Sequence, residues 1–363
     1  MRFVHGVNYP WSTDGRTIFY GLDFGANVWG SHLGVSTRRA AVASDFVSMA
    51  KLGFVVARWF VFCDGRAGIV YDERGVPISL DEQFFIDFDA GLEIARDVEM
   101  QINVVLFDHH WLFRGLGQTL ADVVTGELVE ARLPLGRSRV MLSERGRDAL
   151  FERVLEPLVR RYSEGGARPD LADQIFAFEF MNEPDFVIDE WERDLSPRVA
   201  RPMPFAVFAE MVDRLSDLVH RISPALATLG AARVHNLWAW DDDALGLDLL
   251  QIHTYPDIRY PERDVDLFGM PAAALNVARP VILGEFPGNA PEQHPTDATP
   301  PGHGLTDYLE FALSGGYIGA WPWSFSGTDA YGRLPVEPLR RFGEKHPDLV
   351  NPRFEPPDTI RTT

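Results

Sequence analysis

Two kinds of hydrophobic pattern alternate along the chain. Short, almost uninterrupted apolar segments are typical of buried strands, whereas apolar residues at every third or fourth position are typical of helices. The short segments predict eight strands, over residues 3–9, 53–62 and 101–107, around residue 178, and over residues 225–230, 247–253, 280–286 and 317–325.

Helical patterns separate most of these segments. They predict helices over residues 37–52, 80–98, 146–162, 205–222, 305–314 and 335–345. Eight strand–helix units in 363 residues fit a closed (β/α)8 TIM barrel, an α/β fold, better than an open doubly wound sheet. We expect one catalytic domain over residues 1–349, with long loops after strands three, four and seven, and a Pro-rich C-terminal tail over residues 350–363.

Composition narrows the range of partners. The net charge of −19 argues against binding to nucleic acid or to an anionic membrane surface. No apolar run approaches the roughly 18 residues of a membrane-spanning helix. No apolar signal-peptide segment follows Met1, so we expect a cytoplasmic protein. The single cysteine, Cys63, excludes an internal disulfide, and the glycine-rich motifs of nucleotide-binding folds are missing.

The fourth predicted strand ends abruptly. Residues 176–184 read Phe-Ala-Phe-Glu-Phe-Met-Asn-Glu-Pro, and the proline stops strand pairing directly after Glu183. An α/β barrel carries its active residues at the C-terminal ends of its strands, so we expect Glu183 at the barrel mouth. Strand alternation would place Glu179 on the same side, about 13 Å deeper inside the barrel. The alternative is that Glu183 only caps the next helix.

Other predicted strands also end in polar or aromatic residues. In a barrel these ends converge on one pocket, although the residues are far apart in the sequence. One polar residue at a strand end is weak evidence, but agreement among most of the strands is difficult to explain by chance. The candidates are Asn8, Arg58, His109 or His110, Asn182, Glu183, His253, Tyr255, Glu285 and Trp323.

Glu183 and Glu285, on strands four and seven, would face each other across the mouth. Two carboxylates about 5–5.5 Å apart can cleave a glycosidic bond with net retention, one as the nucleophile and the other as the acid/base. While Glu285 is ionised, its charge keeps Glu183 protonated. Once Glu285 is esterified, Glu183 becomes more acidic and can accept a proton from water. This cycle requires no cofactor.

Two of these motifs carry a resemblance to a known family. Asn-Glu-Pro at residues 182–184 and Gly-Glu-Phe at residues 284–286 resemble the retaining glycoside hydrolases of clan A, most closely the family 5 cellulase/mannanase group. The resemblance extends over the whole barrel, from residues 6–9 to residues 323–324. It implies an O-glycosyl hydrolase of carbohydrate metabolism that acts on β-linked mannosides or glucosides. The long loops favour small glycosides or oligosaccharides over insoluble polymers.

The resemblance also implies roles for the candidate residues. Glu183 matches the acid/base of the family and Glu285 matches its nucleophile, while Asn182 would hydrogen-bond the sugar 2-hydroxyl. Arg58 matches an arginine that keeps the nucleophile ionised and oriented. The alternative for Arg58 is a structural ion pair with buried Glu179.

Further roles concern the walls of the pocket. His110 matches the family's third-strand histidine better than His109 does, because it stands two places after the aspartate that ends the strand, although either could be a core histidine. His253 and Tyr255 match the sixth-strand pair, in which the tyrosine donates a hydrogen bond to the nucleophile. Trp323 matches the aromatic floor under the reacting sugar. The other candidates for the lining are Trp321, which competes with Trp323, and Asn8, Tyr9 and Trp11.

Two other functions would use some of the same residues. One is a sugar-binding protein on an inactive glycosidase barrel, against which the presence of both Glu183 and Glu285 argues. The other is a metal-dependent barrel hydrolase, but no His-x-His stands on the first strand and the histidines lack a compact ligand spacing. Its metal ligands would come from Asp108, His109, His110, His253 and Asp257.

Overall fold

The computed structural model describes residues 3–14, 18–113, 117–121, 128–132, 137–191, 199, 202–256, 265–288, 303–325, 327 and 334–349. The strands in these ranges are β1 (Val4–Asn8), β2 (Val56–Cys63), β3 (Ile69–Tyr71), β4 (Pro77–Leu80), β5 (Gln101–Asp108), β6 (Gly117–Ala121), β7 (Leu128–Arg132), β8 (Ile175–Asn182), β9 (Leu226–Ala231), β10 (Leu250–His253), β11 (Val281–Glu285) and β12 (Gly319–Ala320). Eight of them pair in parallel and close a barrel in the order β1, β2, β5, β8, β9, β10, β11, β12.

Helices between the strands cover the outside of this barrel. They are α1 (Arg39–Lys51), α2 (Phe84–Asp97), α3 (Arg137–Leu142), α4 (Glu144–Leu150), α5 (Glu156–Arg161), α6 (Phe205–Ile222), α7 (Leu237–Trp240), α8 (Leu305–Ser314) and α9 (Val336–Lys345). The predicted (β/α)8 barrel is therefore confirmed. The long loops lie partly outside the described residues, as does the whole of the predicted tail from residue 350 onward.

Helix α6 illustrates how the chain covers the barrel. Its buried residues recur at every third or fourth position and include Phe208, Met211, Leu215 and Val219. This spacing places them on one face of the helix, which packs against β8 and β9. Each large apolar side chain buried in this way contributes about 1.5–3 kcal/mol.

Several elements differ from those predicted, including α3, α7, the β6–β7 hairpin and the predicted helix 146–162, which is divided into α4 and α5. Two further differences adjoin the barrel strands. The antiparallel hairpin of β3 and β4 takes the first residue of the predicted helix 80–98, so α2 begins at Phe84. The eighth barrel strand is shorter than predicted because Pro322 has no N–H to donate. The chain nevertheless continues beside β11, since Trp321 N donates to Leu283 O at 2.9 Å and Trp323 N donates to Phe286 O at 2.9 Å.

The interior of the barrel near the N-terminal ends of the strands is apolar. Val4, Val56, Ile282 and Trp321 belong to one buried cluster there. A Cβ atom at Gly6 would lie 2.3 Å from Trp321 Nε1, so the missing side chain at this position lets the indole ring enter the barrel. The described part of the chain contains no helix with the length and apolar content that crossing a membrane requires.

Candidate active site

Arg58 lies at the centre of a buried polar cluster in the other half of the barrel. Its side chain is completely buried on β2. The guanidinium forms a two-pronged ion pair with Glu179, in which Nε donates to Oε2 at 2.8 Å and Nη2 donates to Oε1 at 2.5 Å. Its Nη1 donates to Glu285 Oε1 at 2.5 Å. Both interactions considered for Arg58 from the sequence are therefore present in the same side chain.

Glu285 is the last residue of β11, and its side chain is only 5% exposed. Its second oxygen, Oε2, accepts a hydrogen bond from Tyr255 Oη at 2.9 Å. Arg58 thus holds one oxygen of the carboxylate and Tyr255 holds the other. These two donors are far apart in the sequence. Such donors favour the ionised form of the carboxylate and fix its orientation.

Glu183 leaves the end of β8 in an unusual backbone conformation. Its φ angle is +50°, in the left-handed region, while its N–H still donates to Gly230 O at 2.8 Å. The pairing of β8 with β9 shifts register between Glu179 and Asn182, so simple alternation does not extend from Glu179 to Glu183. Glu179 is completely buried and Glu183 is 15% exposed, which places the first inside the barrel and the second at its mouth.

Glu183 and Glu285 lie next to each other, with His253 between them. One carboxylate oxygen of each glutamate and one ring nitrogen of the histidine all lie within 4.8 Å of one another. His253 Nδ1 is 3.1 Å from Glu183 Oε1 and 3.5 Å from Glu285 Oε1. Two residues about a hundred positions apart in the sequence therefore place their carboxyl groups at one point of the barrel rim.

The environment of these groups sets their charges. Burial raises the pKa of Glu183 and of Glu285, and the two carboxyl groups oppose each other's ionisation. Because Arg58 and Tyr255 donate to Glu285, we assign the negative charge to Glu285. We assign the protonated form to Glu183. Burial also lowers the pKa of His253 to about 4, so its imidazole is neutral at pH 7.

The two histidines after β5 occupy different positions. His109 Nδ1 lies 3.8 Å from Glu183 Oε2, and its side chain is 12% exposed. His110 is paired with Asp108, stacks on His109 at 4.3 Å between ring centroids, and is 32% exposed. Burial lowers the pKa of His109. Burial also opposes protonation of His110, but the charge and hydrogen bond of Asp108, together with the charges of Asp64 and Glu183, raise the pKa of His110 overall. The structure thus brings His109 closer to Glu183 and leaves His110 nearer to solvent.

The two asparagines support the cluster. Asn8 has no exposed surface: its Oδ1 accepts from Arg58 Nη1 at 2.9 Å, and its Nδ2 donates to Gly284 O at 2.9 Å. Asn182 Oδ1 accepts from Arg58 Nη2 at 2.7 Å, while its Nδ2 donates to Asp108 Oδ2 at 2.8 Å. Asn8 is therefore placed to hold Arg58 and not to reach the open pocket, and Asn182 links Arg58 to the end of β5.

The structure separates the two candidate tryptophans. Trp321 is completely buried in the apolar half of the barrel, against Phe176. Trp323 is partly exposed and makes edge contacts with Trp11, at 6.0 Å between ring centroids, and with Phe60, at 6.2 Å. Of the aromatic residues considered for the lining, Trp323 and Trp11 lie together near the mouth, whereas Tyr9 points away and donates to Asp45 Oδ2 at 2.8 Å.

Several residues that interact with the cluster have no strong signal in the sequence. Asn103 Nδ2 donates to Glu179 Oε2 at 2.7 Å, and Gln251 Nε2 donates to the same oxygen at 2.9 Å. Both lie inside apolar strands, and a polar residue that interrupts such a strand is the signal that could have indicated them. Asp185, two residues after Glu183, joins the loops after β8 and β9 by accepting from Ala232 N and Asn236 Nδ2.

Within the part of the chain that the structure describes, two groups of side chains have the donor atoms of a metal site. The first group is Asp108, His109 and His110, and the second group is Glu183, His253 and Glu285. In each group the donor atoms lie within 4.8 Å of one another. In the second group the Arg58 guanidinium already pairs with Glu285 and supplies a positive charge to that carboxylate. In the first group Asp108 is already hydrogen-bonded to Asn182 and His110. The remaining metal-ligand candidate from the sequence, Asp257, lies outside the described residues.

Comparison with known proteins gives structural relatives only. No protein-family model matches the chain, and no curated protein matches it in sequence. A β-mannanase from the blue mussel Mytilus edulis is 17% identical, with a TM-score of 0.71 and coverage of 97% of this chain and 94% of that one. A β-1,4-D-mannanase from Cryptopygus antarcticus is 18% identical, with a TM-score of 0.69 and coverage of 94% and 89%. A variant of GH5_18 from Streptomyces cattleya, solved in complex with Manb1-4GlcNAc, is 15% identical, with a TM-score of 0.55 and coverage of 95% and 80%.

Proposed function

We propose that the protein is a retaining β-glycosidase that hydrolyses β-linked hexosides, with β-mannosides as the first candidates, through a covalent glycosyl-enzyme. The observation that carries this proposal is the proximity of Glu183 and Glu285, whose carboxylate oxygens come within 4.8 Å of each other at the barrel rim. Retaining enzymes place their two carboxyl groups about 5–5.5 Å apart, whereas inverting enzymes leave about 6.5–9.5 Å for a water molecule.

In the first step Glu285 attacks the anomeric carbon as the bond to the leaving oxygen breaks. Glu183 gives its proton to that oxygen, so the leaving group departs as a neutral alcohol. Glu285 is now a neutral ester, and the loss of its charge makes Glu183, now a carboxylate, a suitable base. In the second step Glu183 takes a proton from water, whose oxygen attacks the anomeric carbon and releases Glu285.

The surrounding residues would assist these steps. Arg58 and Tyr255 hold Glu285 in one orientation and favour its ionised form. Trp323 is partly exposed beside the site and can take the apolar face of a pyranose ring. The neutral imidazole of His253 lies between the two carboxyl groups without adding a positive charge that would compete with Arg58.

The preference for mannosides comes from the structural relatives. Those named above are a β-mannanase, a β-1,4-D-mannanase and a protein bound to Manb1-4GlcNAc. Carbohydrate is accordingly the proposed partner of the site. The preference for short substrates and the cytoplasmic location remain predictions from the sequence.

Substitution of the two glutamates tests the reaction. We expect Glu285→Ala to abolish hydrolysis of aryl β-mannosides, with a loss on the order of 10⁴-fold or more in kcat, because no covalent intermediate can form. Glu183→Ala should lose activity on poor leaving groups but keep part of it on 2,4-dinitrophenyl β-mannoside, since that leaving group needs no protonation. Glu152→Ala, at an exposed position on the outside of the barrel, is the control and should match the wild type.

Labelling identifies the nucleophile independently. A 2-deoxy-2-fluoro-β-mannosyl fluoride should add one fluorosugar to Glu285, as seen by peptide mass spectrometry. Attachment at another residue, or normal turnover by Glu285→Ala, would contradict the scheme. Binding of mannosides without turnover would favour the sugar-binding barrel, and activity lost with a strong chelator and restored by metal would favour the metal-dependent hydrolase.

A further inference from the structure

Glu179, on β8, is surrounded by hydrogen-bond donors from three other strands, β2, β5 and β10. Its carboxylate accepts four N–H groups: Arg58 Nε at 2.8 Å, Arg58 Nη2 at 2.5 Å, Asn103 Nδ2 at 2.7 Å and Gln251 Nε2 at 2.9 Å. The side chain has no exposed surface, so it cannot touch a substrate. A Cβ atom at Gly230 would lie 2.5 Å from Glu179 Oε1, so the adjacent strand leaves space for this carboxylate.

The position of Glu179 determines which part of Arg58 faces Glu285. Glu179 occupies Nε and Nη2 of the guanidinium, which leaves Nη1 directed at Glu285 Oε1. A guanidinium is planar and rigid, so two bonds on one edge fix the direction of the remaining N–H groups. Rotation of Arg58 about its long axis would break both bonds to Glu179 at once.

Glu179 also shares the charge of Arg58. Arg58, Glu179 and Glu285 together carry a net charge of one negative unit, because two carboxylates share one guanidinium. The positive charge of Arg58 therefore neutralises Glu285 only in part. If Glu179 were neutral, the whole positive charge would act on Glu285 alone. A carboxylate in an unshared buried ion pair is a weaker base and therefore a weaker nucleophile.

We propose that Glu179 is a positioning residue for the nucleophile: it orients Arg58 toward Glu285 and takes up part of its charge, so that Glu285 is ionised but still reactive. This inference rests on the proposed function, since it assigns Glu285 as the nucleophile. Among the described residues, the charged and titratable groups that face Glu285 are Arg58 from β2, Glu183 from the end of β8, and His253 and Tyr255 from β10 and its end. Glu179, on β8, acts on Glu285 through Arg58.

Glu179→Gln is the main test because it removes the charge and keeps the shape. We expect kcat to fall about 100-fold, because the nucleophile is both weakened and released from its orientation. KM should stay within about threefold of the wild type, since Glu179 does not contact the substrate. The acidic limb of the kcat/KM profile should move to lower pH by about one unit, because Arg58 then stabilises ionised Glu285 more strongly. A structural role alone would not move that limb.

Asp87→Asn is the matched control. Asp87 is also a completely buried carboxylate with four donors, from Gly25 N, His32 Nε2, Ser36 N and Ser36 Oγ, but it lies on α2, away from Arg58. It should lose stability as Glu179→Gln does, yet keep the wild-type acidic limb and a kcat within about twofold. A Glu179→Asp variant keeps the charge and should restore the wild-type limb with an intermediate kcat.

A measurement that needs no turnover separates this inference from the proposed function. The Glu285 carboxyl can be titrated by 13C NMR in glutamate-labelled protein, with Glu285→Gln to assign the signal. A lower pKa of Glu285 in Glu179→Gln than in the wild type would support the inference even if no glycoside were hydrolysed. An unchanged pKa, or an unchanged acidic limb with kcat within twofold of wild type, would overturn it. If Glu179→Gln does not fold, Gly230→Ala is the second variant, because it displaces the Arg58–Glu179 pair without changing its charge. In steady-state kinetics its kcat should fall while the acidic limb of the kcat/KM profile stays unchanged. An unchanged kcat would overturn the orienting role.

Discussion

The two halves of the barrel interior are built from opposite kinds of side chain. Near the N-terminal ends of the strands, Val4, Val56, Phe176 and Trp321 pack into an apolar cluster. Toward the C-terminal ends, the same strands β2 and β8 carry Arg58 and Glu179, which are just as buried. Along β2, a step of only two residues therefore separates the apolar cluster at Val56 from the buried ion pair at Arg58.

The difference shows where the molecule is stabilised and where it is arranged for chemistry. Apolar packing contributes to stability directly, at about 25 cal/mol per Å² of buried area. Buried charges lose their hydration, and their mutual attraction roughly offsets that loss, so a buried ion pair is weak evidence for stability. The polar half is therefore best explained by the orientation it gives Glu285, and the two halves should respond differently to substitution.

The largest effect is expected for Arg58→Met. It leaves Glu179 and Glu285 buried without their common cation, which should cost about 3–5 kcal/mol in free energy of unfolding and lower kcat on the order of 10³-fold. Urea denaturation and steady-state kinetics on aryl β-mannosides would measure the two quantities. The double variant Arg58→Met/Glu179→Met should regain stability but not activity, and a double variant no more stable than Arg58→Met would contradict this account of the polar half.

Phe176→Ala should affect the apolar half with a similar loss of stability but a different functional result. Removing the ring beside Trp321 leaves a cavity that should cost about 3–5 kcal/mol. At a temperature where the variant is still folded, kcat should stay within about threefold of wild type, because the contact does not change during the reaction. A large fall in kcat measured on fully folded protein would show that the two halves are coupled more strongly than their contacts suggest.

A smaller, pH-dependent effect is expected outside the barrel wall, at His5. This buried side chain packs against the rings of Phe54 and Phe342, and burial lowers its pKa to about 3. Because the unfolded chain has a pKa near 6.5, it binds more protons than the folded protein below that pH, and stability falls as the pH drops. His5 should account for about 2 kcal/mol of the loss between pH 7 and pH 5.

His5→Phe should therefore flatten the fall in stability in thermal or urea unfolding at pH 7, 6 and 5. His253, with a pKa lowered to about 4, contributes in the same direction, so part of the fall should remain. His220→Phe is the control, since His220 pairs with Asp248 and its pKa is raised, and it should not flatten the curve. An unchanged slope in His5→Phe would mean that folding does not lower the pKa of His5.

Local pattern was enough to predict most of the architecture. The apolar segments placed the eight barrel strands in order, and helices 205–222 and 305–314 begin and end where the pattern predicts. The hairpin of β3 and β4 was not predicted, because its strands are short and form only when the two segments pair. The short β12 depends on Pro322, whose effect on pairing appears only when β11 lies beside it.

By itself, the sequence determined the fold class and the positions where polar groups stand at strand ends, because both follow from local periodicity and from the geometry of a parallel barrel. Only the tertiary structure decided which atoms meet. It placed His109 rather than His110 beside Glu183, put Trp321 in the core and Trp323 near the mouth, and gave Glu179 its four donors from three strands. The reason is physical: a register shift of one residue in β8, or a left-handed φ at Glu183, redirects a side chain without leaving a trace in the hydrophobic pattern.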